Sequence, residues 1–166
     1  KTVPVVFVAT TDLVSTGLVE SLARPGGNVT GLTSLAPELG GKRLELLKET
    51  VPKLSRVVFL FDPASLSNMV ELEQLRGPAA ALGMTLRAVE ARSPDAIEQA
   101  FSTMIRDRAE GLSTASGAIN NTNRRRIVEM AAKRRLPAIY HTSQFVDDGG
   151  GQAGEPGTDD EDLHVD

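Results

Sequence analysis

Ser55-Arg-Val-Val-Phe-Leu-Phe-Asp-Pro63 is the stretch from which the architecture of this chain can be worked out. Its centre is an apolar run without alternation, which is typical of a strand buried on both faces of a parallel sheet. Asp62 and Pro63 end the strand, and Ser67 to Leu82 follows as a predicted helix that stops at Gly83. We therefore predict a strand followed by a helix that packs back on it.

The same alternation of strands and helices continues on both sides of this stretch. Strands alternating with helices indicate βαβ units, so we predict an α/β fold with a doubly wound parallel sheet. Ser93 and Pro94 have the residue types of a helix N-cap and first helical position. The further predicted strands are Val3 to Ala9, Thr85 to Val89, Gly111 to Thr114 and Pro137 to Tyr140, with an extended run over Val29 to Leu35. The further predicted helices are Ser15 to Ala23, Lys42 to Thr50, one opening at Ser93, and Asn120 to Arg135.

The pattern divides the chain into three parts. Residues 36–146 contain a complete α/β lobe, because four strands and their helices suffice to cover a small sheet. Residues 1–35 hold one strand, one helix and the extended run, which we interpret as the remnant of a first lobe and a crossover. Residues 147–166 are rich in glycine and acidic residues and form a predicted tail.

Composition excludes several classes of protein. The 166 residues have a formal net charge of −4, which does not favour a nucleic-acid partner. Cysteine is absent, which removes disulfides, thiolate metal sites and cysteine nucleophiles. Aromatic residues make up 4% of the chain, so the core must be aliphatic. No apolar run approaches the roughly 20 residues of a membrane span, and no signal peptide is recognisable at the start.

Small polar residues follow the predicted strands at their carboxyl ends. In open parallel sheets ligands bind outside these ends, and hydroxyls and free backbone amides suit a small polar or zwitterionic ligand. Each such residue has an alternative role as a helix cap, which is the more frequent one, so the set is stronger evidence than any member. The candidate ligand-binding residues are Thr10, Thr11, Asp12, Asp62, Ser65, Ser116, Gly117, Tyr140, His141, Thr142 and Ser143.

Catalytic and metal-binding patterns are not found. His141 stands near Ser143 and Asp147, but there is no G-x-S-x-G elbow, and a loop histidine at a cleft rim is the simpler interpretation. His141 and His164 are too far apart in sequence to give a metal-ligand spacing, and the glycine pairs form no phosphate-binding loop. We therefore predict no enzyme activity, no metal and no cofactor.

Four segments together resemble one protein family. The segments are VPVVFVATTDLVSTGLV (3–19), SLARPGGNVTGLTSLAPELGGKRLELLKE (21–49), RRRIVEMAAKRRLPAIY (124–140) and FVDDGG (145–150). They are similar to a group of substrate-binding proteins of ABC importers, some associated with aromatic amino acids, with two-lobed periplasmic-binding folds. The resemblance implies that this chain is part of a longer protein, and that the candidate residues lie around an interlobe cleft.

The resemblance also implies partners and a location. A small, amino-acid-like ligand would bind without catalysis, an ABC permease would be the membrane partner, and the protein would be periplasmic or extracytoplasmic. The alternative reading is an orphan α/β domain that senses a ligand or has a regulatory role and works as a dimer. Apolar surface left uncovered by a missing lobe would favour such a homodimer.

Overall fold

The computed structural model describes residues 3–9, 17, 19–21, 23–24, 26–33 and 39–149, and it contains a central parallel sheet of four strands. The strands of this sheet are β3 (Arg56–Phe61), β4 (Thr85–Glu90), β5 (Gly111–Thr114) and β6 (Ala138–Ile139). They run in the spatial order β4-β3-β5-β6, and every pair is parallel. The α/β fold with a parallel sheet is therefore confirmed.

Helices cover both faces of this sheet. The side chains of β3 alternate between the faces, with Val58 and Leu60 on one side and Val57, Phe59 and Phe61 on the other. The helices are α1 (Gly40–Thr50), α2 (Leu66–Ala81), α3 (Pro94–Arg106), α4 (Ala118–Thr122), α5 (Arg124–Lys133) and α6 (Gln144–Asp147). Helices α3 and α5 pack on the first side, while α1 and α2 pack on the second. This double covering explains why the β3 sequence is apolar throughout.

A second, smaller sheet lies at the start of the chain. Strands β1 (Val5–Ala9) and β2 (Val29–Thr33) pair in parallel, with Val5 opposite Val29. The side chains of Val6 and Leu32 are 77% and 72% exposed, so this pair of strands leaves apolar surface uncovered. The division of the chain at residues 35 and 146 stays a prediction.

Two helix predictions were wrong. Of the predicted helix 15–23, the structure describes residues 17, 19–21 and 23, and none of these is helical. At the end of this segment, Ser21 Oγ accepts the Arg24 N–H at 3.0 Å in a local turn. The predicted helix 120–135 is two helices that meet at Asn123. At this junction the side chain and the backbone N–H of Asn123 both donate to the Ile119 carbonyl, at 2.8 and 3.2 Å.

Helices α2, α3 and α5 end with the same backbone turn, in which a left-handed residue follows the helix. Gly83 occupies this position after α2, as predicted, but Arg108 and Arg135 occupy it after α3 and α5, with φ of 52° and 48°. After α5, the N–H groups of Arg135 and Leu136 close the turn on the Ala132 and Ala131 carbonyls at 2.9 and 3.0 Å. Two arginines thus stand where glycine is favoured.

Replacement of Arg135 by glycine is therefore expected to stabilise the fold. A side chain with a Cβ pays roughly 1–2 kcal/mol in the left-handed conformation, and the greater freedom of glycine in the unfolded chain offsets part of this. We predict that Arg135→Gly raises the free energy of unfolding by about 0.5–1 kcal/mol, measured by urea unfolding. Arg135→Ala is the control and should change little, since it keeps the Cβ; a glycine variant no more stable than the alanine variant would contradict this account.

Candidate functional site

The order of the strands creates a crevice at the carboxyl edge of the main sheet. The chain passes from β3 to its neighbour β4 and then crosses back over β3 to form β5 on the other side. The loops that leave β3 and β5 therefore run to opposite faces of the sheet. This reversal is the position where open parallel sheets bind ligands. Asp62 follows β3 at this point, and Ser116 and Gly117 follow β5.

The loop after β3 is a capped entry into α2. The Asp62 carboxylate accepts the Ala64 N–H at 2.9 Å, and the Ser65 hydroxyl caps α2 by accepting the Asn68 N–H at 3.4 Å. Ser65 thus has the capping role that was its alternative interpretation. Asp62 is only partly buried, so its carboxylate retains access to solvent at the crevice.

A buried amide side chain joins this loop to the one after β5. Asn68 Oδ1 accepts the Asp62 N–H at 2.9 Å, and Asn68 Nδ2 donates to the Ser116 carbonyl at 2.6 Å. Asn68 is 1% exposed, and Ser116 is also buried. The two loops at the reversal of the sheet are therefore connected through one side chain of α2.

The segment after β6 forms a third wall at the same edge. Tyr140 stacks on the buried Phe145 with ring centroids 4.6 Å apart, and His141 meets Phe145 edge-on at 5.3 Å. His141 Nε2 lies 2.8 Å from Asn121 Oδ1, which can only accept, so Nε2 carries the proton. Nδ1 then accepts from the Thr114 hydroxyl at 3.3 Å.

A shallow depression of about 360 Å³ lies beside the edge strand β6. Its lining combines the backbone and side chains after β6 with apolar groups from the strand and from α6, and the lining residues are Ala138, Ile139, Tyr140, His141, Thr142, Ser143 and Val146. Within it, burial raises the pKa of Tyr140 to about 12, so the phenol is neutral at ordinary pH. The volume is in the range of small-molecule pockets.

A buried ion pair lies beneath the site. Arg43 Nη2 of α1 contacts Glu71 Oε1 of α2 at 2.5 Å, and the Glu71 residue is fully buried. The helices approach closely enough for this because α1 begins with Gly40 and Gly41; a Cβ at Gly40 would stand 2.8 Å from a Leu75 methyl.

Desolvation on burial is the largest cause of the pKa shifts of Glu71, Arg43 and His141. Desolvation raises the pKa of Glu71 to about 7, and the Arg43 charge and the Ser116 backbone amide oppose the shift only in part. Desolvation also lowers the pKa of Arg43, although its attraction to Glu71 opposes this. Burial first, and the Arg43 charge second, lower the pKa of His141 to about 4, so the imidazole is neutral near pH 7.

The structure brings most of the predicted site residues to one edge of the sheet. Asp62, Ser65, Ser116 and Gly117 surround the reversal between β3 and β5, and residues 140–143 follow the neighbouring strand β6. Thr10, Thr11 and Asp12 lie outside the described residues. Across the part of the chain that the structure describes, no group of three or more His, Asp or Glu could hold a metal ion.

Sequence reasoning missed the buried polar layer formed by Arg43, Asn68 and Glu71. The signal was present, because Asn68 and Glu71 share the inward stripe of α2 with Leu72 and Leu75 at helical spacing. Arg43 likewise shares the buried side of α1 with the core leucines. Polar residues on an apolar stripe indicate a buried network, but only the structure shows which groups they meet.

Comparison with known proteins assigns the family. The profile of the family described as ABC transporter substrate binding protein matches residues 1–163. The chain belongs to this family. Substrate-binding proteins of ABC transporters are non-catalytic, are extracytoplasmic proteins or lipoproteins, and bind small molecules for a membrane permease.

One curated member of the family is a tyrosine-binding protein of Clostridioides difficile (strain R20291). It is 28% identical over 105 residues, which cover 63% of this chain and 30% of that protein. The chain thus spans less than a third of the length of this relative.

Solved structures support the fold. A conserved domain protein from Vibrio cholerae O1 biovar El Tor has a TM-score of 0.78 at 26% identity, over 90% of this chain and 49% of that one. An ABC domain in complex with L-Trp from Streptococcus pneumoniae has a TM-score of 0.74 at 22% identity, over 87% of this chain and 49% of that one. A ligand-free, open substrate-binding protein with adhesive properties from Clostridium difficile has a TM-score of 0.61 at 23% identity, over 84% of this chain and 46% of that one. The chain spans about half of each.

Over residues 39–149 and the shorter described segments before them, no helix is long and apolar enough to cross a bilayer.

The opposite pKa shifts of Glu71 and His141 predict compensating effects of pH on stability. Glu71 holds its proton more tightly in the folded state, so its contribution is complete below about pH 4.5 and is lost as pH rises towards 7. His141 is neutral in the folded state, so its contribution is lost as pH falls from about 6.5 to 4. Relative to the unchanged protein, the unfolding free energy of Glu71→Gln should rise with pH between 4.5 and 7.

The matching change at the histidine should have the opposite slope. Relative to the unchanged protein, the unfolding free energy of His141→Gln should fall as pH rises from 4 to 6.5. Urea unfolding of the three proteins at intervals of half a pH unit measures both slopes. Parallel stability profiles for all three would show that neither group titrates differently on folding.

Proposed function

We propose that this chain is the ligand-binding part of an extracytoplasmic protein that delivers an amino acid, an aromatic one in the first instance, to an ABC importer. The observation that carries the proposal is the convergence of three strand ends, β3, β5 and β6, on one crevice edge in a member of a non-catalytic binding family. The permease is the partner implied by the family, and the ligand would lie in a cleft between this lobe and a second one.

The groups at the edge suit the two ends of an amino acid. The partly exposed Asp62 carboxylate can attract an ammonium group, since a charged hydrogen bond is stronger than a neutral one. The amino-terminal turn of α2 begins beside it and favours a carboxylate. The depression of about 360 Å³ beside β6 has room for a side chain. Because the Ser116 side chain is buried, this loop would present its backbone to the ligand.

The choice of an aromatic amino acid rests on the relatives. One curated relative is named for tyrosine, and one structural neighbour was solved with L-Trp. Thr10, Thr11 and Asp12 follow β1 in the sequence, and we propose that they contact the same ligand from the other lobe.

Calorimetric titration of the chain with the common amino acids tests this proposal. We expect saturable binding of Tyr or Trp, weakened about tenfold or more by Asp62→Asn, because loss of a charged hydrogen bond costs about 1.5–3 kcal/mol. Glu129→Gln is the matched control: it removes the same charge from an exposed position on α5 and should leave the affinity unchanged. Absence of saturable heat with every amino acid would refute the amino-acid assignment.

Self-association is a second proposal, favoured by the small sheet. Val6 and Leu32 leave apolar surface exposed on β1 and β2, and such surface favours a partner. We expect the mass measured by light scattering to rise with concentration towards that of a dimer. Replacement of both residues by threonine, which keeps strand propensity, should return the mass to that of a monomer. A monomeric mass at all concentrations would remove the dimeric, ligand-sensing alternative.

A further inference from the structure

Asn68 is placed where a single side chain can hold both loops of the crevice. It lies in the first turn of α2 and is 1% exposed. Its oxygen accepts from the backbone of the loop after β3, at Asp62, while its nitrogen donates to the backbone of the loop after β5, at Ser116. These two loops leave the sheet towards opposite faces, so the amide spans the point at which they diverge.

Only a side chain with a donor and an acceptor at fixed separation can make both bonds. An aspartate at this position would keep an acceptor for the Asp62 N–H but would turn an oxygen towards the Ser116 carbonyl. An apolar residue would leave both backbone groups without a partner in a buried place, which is costly. Asparagine is therefore required at this position for its acceptor and its donor, one for each loop, and not only for its size.

Glu71 acts on the same loop from one turn further along α2. Residues three apart lie on the same side of a helix, so Glu71 stands next to Asn68 on the inward stripe. The Ser116 backbone amide lowers the pKa of Glu71 slightly, which indicates an electrostatic attraction between the two groups. The carbonyl of Ser116 accepts a hydrogen bond from Asn68, and the Glu71 charge is balanced by Arg43 at 2.5 Å. Asn68 thus holds Ser116 directly, and Glu71 acts on the same residue by electrostatic attraction alone.

We propose that Asn68 is a positioning residue for ligand binding, with Glu71 and Arg43 as its support, because it sets the separation of the Asp62 and Ser116-Gly117 loops. This inference rests on the proposed function, since it assigns to these residues the task of shaping that site. None of the three touches the ligand. They fix the backbone of the loops that contact the ligand. Because these loops are already ordered in the ligand-free protein, binding loses less conformational entropy.

The first test is the substitution Asn68→Asp, which keeps the shape and the acceptor but removes the donor to Ser116. Asn123→Asp is the matched control, because it removes an amide donor to the Ile119 carbonyl outside the two loops. We expect Asn68→Asp to weaken binding of the amino acid found by calorimetry at least tenfold and to quicken amide exchange of Ser116 and Gly117. The control should change the affinity less than about threefold. An affinity equal to that of the unchanged protein would overturn the proposal.

The second test separates positioning from stability. The double variant Arg43→Met/Glu71→Leu replaces a buried ion pair with apolar groups of similar size, an exchange that often leaves stability unchanged or improved. A purely structural role predicts that affinity follows stability and is therefore retained. Positioning predicts that affinity falls at least fivefold while the unfolding midpoint stays within a few degrees, because the Glu71 carboxylate no longer attracts the Ser116 backbone amide.

The two proposals can fail separately. Amide exchange measured by NMR on the ligand-free chain reports on the loops whether or not an amino acid binds. Unchanged exchange at Ser116 and Gly117 in both variants would overturn the positioning role even if binding is observed. If exchange at those amides is faster in the variants but the unchanged chain binds no amino acid, the proposed function is overturned. The conclusion that α2 side chains order the two loops is then retained.

Discussion

The burial of both faces of β3 is the constraint on which the rest of this structure depends. A strand with apolar side chains on both sides must be covered by helices on both sides. To supply these helices, the chain has to place β4 on one flank of β3 and β5 on the other. The crevice at the carboxyl edge lies where the chain changes from one flank of β3 to the other. The position of the candidate site therefore follows from the apolar sequence of β3.

Immediately beside the crevice, the apolar interior gives way to a layer of buried polar groups. Arg43, Glu71, Asn68 and His141 are each held by hydrogen bonds or charge. Desolvation outweighs the attraction of Arg43 in raising the pKa of Glu71, and it acts together with the Arg43 charge in lowering the pKa of His141. Such a layer often contributes less to stability than an apolar one would. What it provides is a defined arrangement of loops, since hydrogen bonds such as those of Asn68 form in only one geometry.

Much of the main sheet could be predicted from the sequence, because its signals are local. The apolar run of β3, the Ser93 cap and Gly83 each act through neighbouring residues. The break at Asn123 was missed because the apolar spacing continues across it. The partners of Asn68 and Glu71 were beyond prediction because Ser116 is far away along the chain, and no periodicity encodes such a contact.

The separation of Asn68 and Ser116 along the chain affects the order in which the protein folds. Asn68 and Ser116 are 48 residues apart, and between them the chain must complete helix α2, the edge strand β4, helix α3 and strand β5. The unit from β3 to β4 can form from local contacts, whereas the Asn68 bond requires a long loop to be closed first. We therefore expect the crevice to be among the last features to form, so that a partly folded chain can have paired β3 and β4 before it can hold a ligand.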